Sequence, residues 1–412
     1  MASEIGRSVM QNSVLIVDDD TQVSAWIAAH LGAAGYQVRT ANDSSFAMGE
    51  ISSFNPDVII LDLRMPGVTG MELLTRIRED RALDRMKIIV YSAKSFKYDY
   101  QHCIEAGADA YLVKPVGPQE LMATIANILA DAMKVTFWGT RGSIARPGKD
   151  TLKYGGNTSC VSVEFTRDRW FVFDAGTGIV DLGRSLIAGN KSCKINIFIS
   201  HPHWDHIQGL PFFQPLYQQG NEVAIHGTSQ GKLSLQEVIR GQMDAIYFPV
   251  TIREFSARVY FNELTESEYE VEKLRVRTLT LNHPGMTLGY VVTNAAGKSV
   301  AYITDNEIVP GADVHNRNRL VTLLAGVDVL IHDANYLDGE YPDKVGWGHS
   351  PVTEVLKLAA DAKVKRLYLF HHDPHHDDNI VEKKEAFGKH YFKERGLDIS
   401  CFCAMEGHSI SL

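Results

Sequence analysis

Apolar positions fall into two patterns along the chain. Between Ser13 and Lys134 short apolar runs (VLIV, YQVRT, DVIILD, KIIVYS, AYLV) alternate with stretches of helical periodicity. Uninterrupted apolar strands suit a parallel sheet covered on both faces. From Val135 onward the apolar runs end in turns carrying histidine or aspartate, as in INIFISHPHWDH, TLTLNHPG, VAYITDNE and RLYLFHHDP. The last helix of the first region, expected over Gln119 to Met133, meets the strand start Val135-Thr136-Phe137 with no Gly, Pro or Ser spacer. The chain therefore reads as two α/β domains, residues 1–133 and 134–412, coupled rigidly, the alternative being a helix that simply ends at a static interface.

Composition narrows this only a little. With 45% hydrophobic and 22% charged residues the chain is ordinary globular protein, without low-complexity tracts. The N-terminal stretch lacks a signal peptide's apolar segment and no run reaches the length of a membrane span, so the expectation is a cytoplasmic protein without membrane contact. Five cysteines, Cys103, Cys160, Cys193, Cys401 and Cys403, do not make a disulfide framework. Cys401 and Cys403, two apart in a strand, should share one face, buried in packing, the alternative being metal binding. The net charge of −9 argues against a nucleic acid polymer as partner. Residues 1–132 hold 11 basic and 17 acidic side chains, against 30 and 33 in the rest, so the C-terminal region is near neutral.

In the first region Asp18 and Asp19 follow the first strand, Asp62 ends the third, Ser92 ends the fourth and Lys114 follows the fifth. Ligands of open α/β sheets bind beyond the carboxyl ends of strands, so these side chains should converge. Three carboxylates together call for a hard cation such as Mg²⁺ and suit a phosphorylation site in which Asp62 attacks the phosphoryl donor. VLIVDDD, VIILDLRMPGVTG, IIVYSAKS and AYLVKPV, in this order, resemble the response-regulator receiver domain. The resemblance implies a flavodoxin-like (βα)5 fold, Asp18, Asp19 and the Arg64 carbonyl on Mg²⁺, and Asp62 as phosphoacceptor. It further implies Ser92 and Tyr111 as switch residues, Lys114 on the phosphate before a cis proline, and a sensor histidine kinase as phosphodonor.

In the second region HPHWDH places His201, His203, Asp205 and His206 directly after a strand. His201 and His203 can grip one metal while Asp205 and His206 face a second. His283, Asp305 and His371 end later strands; with Asp305 bridging, seven ligands for two ions leave a place for a shared water. Metal identity stays open between Zn and Mn or Fe. HPHWDH, NHPG, IHDANY, GHS and LFHHDP resemble the metallo-β-lactamase superfamily, an αββα sandwich, and within it the branch of transfer-RNA 3′-end nucleases and small phosphodiesterases.

That resemblance assigns His201, His203 and His283 to the first metal, Asp205, His206 and His371 to the second, and Asp305 to both, with His372 the alternative to His371. His349 is implied at the scissile phosphate, with Asp333 orienting it; Asp205, His349 and Asp333 are the expected catalytic set. Ser350 and Pro351 also read as a helix cap and first helical residue. His375 and His376 read as solvated loop residues, Asn157 and Thr158 as candidate pocket residues, and Asp174 as a support for the HPHWDH loop. Tyr247 and Phe248 read as core or as a base-stacking pair. The expected reaction is hydrolysis of a small or cyclic nucleotide-like phosphodiester; a lactone or thioester hydrolase and a non-catalytic metal module are the alternatives. Asp62 phosphorylation is expected to control the output domain, with homodimerisation one route.

Overall fold

The structure is a computed structural model that describes residues 12–412 apart from 81, 82, 84, 85, 95, 130–132, 166–168, 189–191 and 312–313. It divides into two units, Met1–Ala132 and Met133–Leu412.

In the first unit β1 (Ser13–Val17), β2 (Gln37–Ala41), β3 (Val58–Leu61), β4 (Lys87–Ser92) and β5 (Ala110–Val113) form a parallel sheet in the order 2-1-3-4-5. Its central strands are largely apolar because helices cover both faces. Leu15, Val17, Ile59 and Leu61 pack against Leu73 and Ile77 on one side. Val14, Ile16, Val58 and Ile60 pack against Ile27, Leu121 and Ile125 on the other. β2 departs from the expectation of full burial: at the sheet edge, four of its five residues are exposed or half-buried. Helix starts are set locally. The Asp20 side chain caps helix Thr21–Ala33, and Thr69 with Glu72 forms a capping box on helix Gly70–Glu79. The strand order reverses at β1, which opens the crevice beyond the ends of β1 and β3. This is the flavodoxin-like fold expected. The last helix is described over Pro118–Leu129; its expected run to Met133 crosses residues 130–132, outside the described residues.

The second unit contains β6 (Lys134–Gly139), β7 (Cys160–Phe165), β8 (Arg169–Phe173), β9 (Lys194–Phe198), β10 (Glu222–Gly227), β11 (Arg258–Glu263), β12 (Glu268–Val271), β13 (Leu274–Thr280), β14 (Leu288–Thr293), β15 (Ser299–Ile303), β16 (Val329–Asp333), β17 (Arg366–Phe370), β18 (Ser400–Cys403) and β19 (Ser409–Ser411). They make two seven-stranded sheets, ordered 11-10-9-8-7-6-19 and 12-13-14-15-16-17-18. Period-two alternation builds three apolar layers from these strands. Phe171 and Phe173 of β8 meet Tyr290, Tyr302, Ile331 and Phe370 between the sheets. Val172 between them turns outward to helix Ile179–Ile187. Ala301, Leu330, Leu367 and Leu369 face helices Val314–Leu324, Val352–Asp361 and Asp378–Glu394. The result is the αββα sandwich expected. All five cysteines are free and buried, Cys401 and Cys403 both among the outer-layer residues. No helix among the described residues is long and apolar enough to cross a membrane.

Candidate active site

In the first unit Asp18, Asp19 and Asp62 bring ligand oxygens within 4.8 Å of one another. Lys114 Nζ lies 2.6 Å from Asp18 Oδ2 and 3.4 Å from Asp62 Oδ1. Burial raises the Asp62 carboxyl above its ordinary range, Lys114 opposing and Asp18 adding to the rise. Burial works against the Lys114 ammonium, yet the two carboxylates hold it above its usual value. Ser92 is fully buried, the Tyr111 hydroxyl donates to the Lys94 carbonyl at 2.8 Å, and the Lys114–Pro115 peptide is cis. Asp18 and Asp62 are both buried and both flank the Lys114 ammonium, which can offset transferred charge. Asp62→Asn is expected to abolish phosphate incorporation from acetyl phosphate with Mg²⁺, read as the loss of the phosphoprotein band in a phosphate-affinity gel.

In the second unit the strand ends deliver the histidine cluster. β9 stops at Phe198, and the chain turns through Ser200 to His201 and into the short helix Trp204–Ile207, which holds Asp205 and His206. Asp305, just past β15, and His371, just past β17, adopt left-handed backbone conformations, φ 49° and 57°. Such strain in non-glycine residues persists only where surrounding structure over-determines it.

Asp305 divides the cluster in two. Its Oδ2 lies 3.6 Å from both His201 Nε2 and His283 Nε2. His203 Nδ1 lies 2.8 Å from the former nitrogen and 3.1 Å from the latter. Asp305 Oδ1 lies 3.2 Å from His206 Nε2 and from His371 Nε2, and each of these is 3.1 Å from Asp205 Oδ2. His206 Nε2 is buried and makes no well-directed hydrogen bond despite these oxygens. A buried imidazole nitrogen left unsatisfied among carboxylate oxygens, in a cluster of seven such donors, fits two cations held by imidazole and carboxylate. Burial disfavours charge on His206, but Asp205, Asp305 and Asp174 hold it well above its normal range. Asp305 is held well below the carboxylate range against its own burial by His206, His371 and His201. Burial drives His201, nearer to other imidazoles, well below its usual value.

Outer groups orient the ligands. Asp174 Oδ2 accepts from His206 Nδ1 at 2.7 Å, from the Tyr302 hydroxyl at 2.7 Å and from the Ser200 hydroxyl at 2.9 Å. His283 Nδ1 donates to the Gly348 carbonyl at 3.0 Å. Gly348 has φ +86°, and a Cβ there would sit 2.1 Å from His283 Nδ1, so glycine is required. His349 Nδ1 donates to Asp333 Oδ2 at 2.8 Å, leaving Nε2 for a substrate. Although burial opposes it, Asp333 lifts His349 to about 9. His349 shares one pocket with His203, Asp205, Asp305 and His371.

His372, the alternative to His371, points away from the cluster and bonds the Ala404 carbonyl at 3.0 Å. Several other neighbours lie elsewhere than the sequence suggested. His376 is buried against Glu340 at 3.0 Å rather than solvated, because its carbonyl accepts from the buried Arg141 guanidinium; His375 is exposed. Ser350 does not cap its helix: its hydroxyl donates to the Asn306 carbonyl, and Pro351 occupies the cap position without a side-chain bond. Asn157 and Thr158 bond Glu406, Thr177 and Gln208, fixing the turn before β7 rather than lining the pocket. Tyr247 is 76% exposed, so it is not core.

The sequence reading missed groups acting through the main chain. The Ser143 N–H donates to Asp205 Oδ2 at 2.7 Å. Glu307 accepts from the Tyr341 hydroxyl and from the Gly346 and Gly348 N–H groups at 2.7–2.9 Å, holding the loop that leads to His349. Lys384, fully buried and drawn down to about 8 by that burial, donates to the Ala334 and Asn335 carbonyls at 2.9 and 2.7 Å. Lys384→Met should leave both carbonyls unpaired and cost about 2 kcal/mol or more, read as a lower urea midpoint for the second unit.

Comparison with known proteins gives two families. A response regulator receiver domain model matches residues 14–126, and a beta-lactamase superfamily domain model matches residues 169–372. The phosphate regulon transcriptional regulatory protein PhoB of Pseudomonas aeruginosa is 36% identical over 117 residues, 28% of this chain and 51% of that protein. The chain thus spans about half the length of the curated relatives it matches. The metallo-beta-lactamase fold protein YhfI from Bacillus subtilis superposes with TM-score 0.50 at 18% identity, over 68% of this chain and all of that one, a likeness of fold. The short form of human tRNase Z gives TM-score 0.48 at 21% identity, over 68% of this chain and 98% of that one.

Proposed function

Because residues 14–126 belong to the response-regulator receiver family and residues 169–372 to the beta-lactamase superfamily, we propose that the chain is a response regulator whose output domain is a dinuclear-metal phosphodiesterase for small diesters. The observation that carries the reading is Asp305, one oxygen turned to His201, His203 and His283 and the other to His206 and His371, with His349 beside them. His201, His203 and His283 would hold one cation, Asp205, His206 and His371 the other, and Asp305 both. Two such cations, when bound, acidify water and offset charge on a phosphoryl group.

The chain's own residues do the rest. Asp205 is kept in place by the Ser143 N–H, and His206 by Asp174. His349 presents Nε2 to the substrate, its Nδ1–H fixed by Asp333, and can pass a proton from Nε2 to the departing alkoxide oxygen. An imidazolium here also favours an anionic diester over a neutral lactone or thioester. Asp62 would take its phosphoryl group from a sensor histidine kinase and shift the output domain between two activity states.

The test is turnover by the metal-loaded full chain of bis-p-nitrophenyl phosphate beside a lactone and a thioester. Diester hydrolysis that changes on beryllofluoride treatment is expected. Carbonyl hydrolysis without diester hydrolysis would overturn the substrate class, and unchanged turnover with beryllofluoride would overturn the control.

A further inference from the structure

Four segments reach the metal-ligand cluster, and each carries a large apolar side chain left in solvent beside its site residue. Ile144 follows Ser143 and is 62% exposed, Trp204 between His203 and Asp205 is 77%, Met286 near His283 is 44%, and Trp347 near His349 is 62%. Isolated exposed apolar residues are unremarkable, but here they stand together in sequence with the groups of a single site. Trp204 is the informative one, because it lines the pocket with His203, Asp205, Asp305, His349 and His371. Its backbone is held at the pocket: it opens a four-residue helix, and the flanking His203 and Asp205 are tied to the cluster. Among the described residues its indole stacks on no ring and makes no side-chain hydrogen bond.

We propose that Trp204 is a specificity-determining stacking platform, so that preferred substrates carry a planar aromatic group beside the phosphoryl centre. An indole face offers a large flat apolar surface at little conformational cost and accepts any planar ring by offset stacking. This deepens the diesterase reading and rests on it. The catalytic groups grip the phosphoryl oxygens, which all diesters share, whereas Trp204 sees only what is attached to them.

The experiment uses the metal-loaded full chain and two non-hydrolysable anions, phenylphosphonate and methylphosphonate, whose dissociation constants are measured by calorimetry for wild type, Trp204→Ala and Trp204→Phe. Stacking predicts that wild type prefers the phenyl compound by roughly tenfold, that Trp204→Ala removes the preference while binding methylphosphonate as before, and that Trp204→Phe keeps most of it. Equal binding of the two anions by wild type, or a preference that survives Trp204→Ala, would overturn the proposal. Since binding is read without turnover, a failure of the diesterase reading itself would show separately, as absent hydrolysis of bis-p-nitrophenyl phosphate.

Discussion

Asp305→Ala is expected to lower turnover roughly a thousandfold or more and to reduce bound metal from two ions to one at most. One carboxylate serves both halves of the cluster: Oδ2 faces His201 and His283 at 3.6 Å, and Oδ1 faces His206 and His371 at 3.2 Å. Its removal leaves three imidazoles on one side with no anion to offset a divalent charge. It also leaves Asp205 alone between His206 and His371. Metal analysis by mass spectrometry, with steady-state kinetics on the same preparation, checks this; two retained ions with near-normal turnover would show that Asp305 bridges nothing.

His349→Ala carries the second-largest expected effect, a loss of about a hundredfold to a thousandfold in kcat with metal content unchanged. His349 is anchored by Asp333 rather than by the shared oxygens of Asp305, so its removal should leave the ligand set intact. Asp333→Asn should give a smaller loss, about tenfold to a hundredfold, since the imidazole keeps its place but loses the charge that holds it protonated. A diester with a better leaving group should be less sensitive to both substitutions, because proton donation matters less there. Equal losses for good and poor leaving groups would remove the proton-donor role and leave only charge stabilisation.

How much of this could be read from the sequence depends on which atoms carry each role. His201, His203, Asp205, His206, His283, Asp305 and His371 act through side chains at strand ends, and strand ends announce themselves as apolar runs broken by a polar turn. The parallel sheet of the first unit was legible in uninterrupted apolar runs, which reflect burial on both faces, whereas the two sheets of the second unit were expected from the family resemblance. Ser143, Glu307 and Lys384 act through or upon main-chain atoms of segments far away in sequence, the Lys384 link to Ala334 and Asn335 spanning about fifty residues. No local pattern encodes such a bond. His376 failed differently: HHDPHHDD looks like a solvated loop, and only the fold reveals that Arg141, buried without exposure, draws the segment inward. Gly348 stands in the GHS motif, but the reason for a glycine there, the His283 ring against its backbone, appears only in three dimensions.

The most direct test of the central claim is a Zn²⁺ titration of the metal-free full chain while bis-p-nitrophenyl phosphate hydrolysis is followed. Turnover that rises to a plateau at about two ions per chain is the predicted result. No turnover with two ions bound, or full turnover with none, would contradict a dinuclear phosphodiesterase.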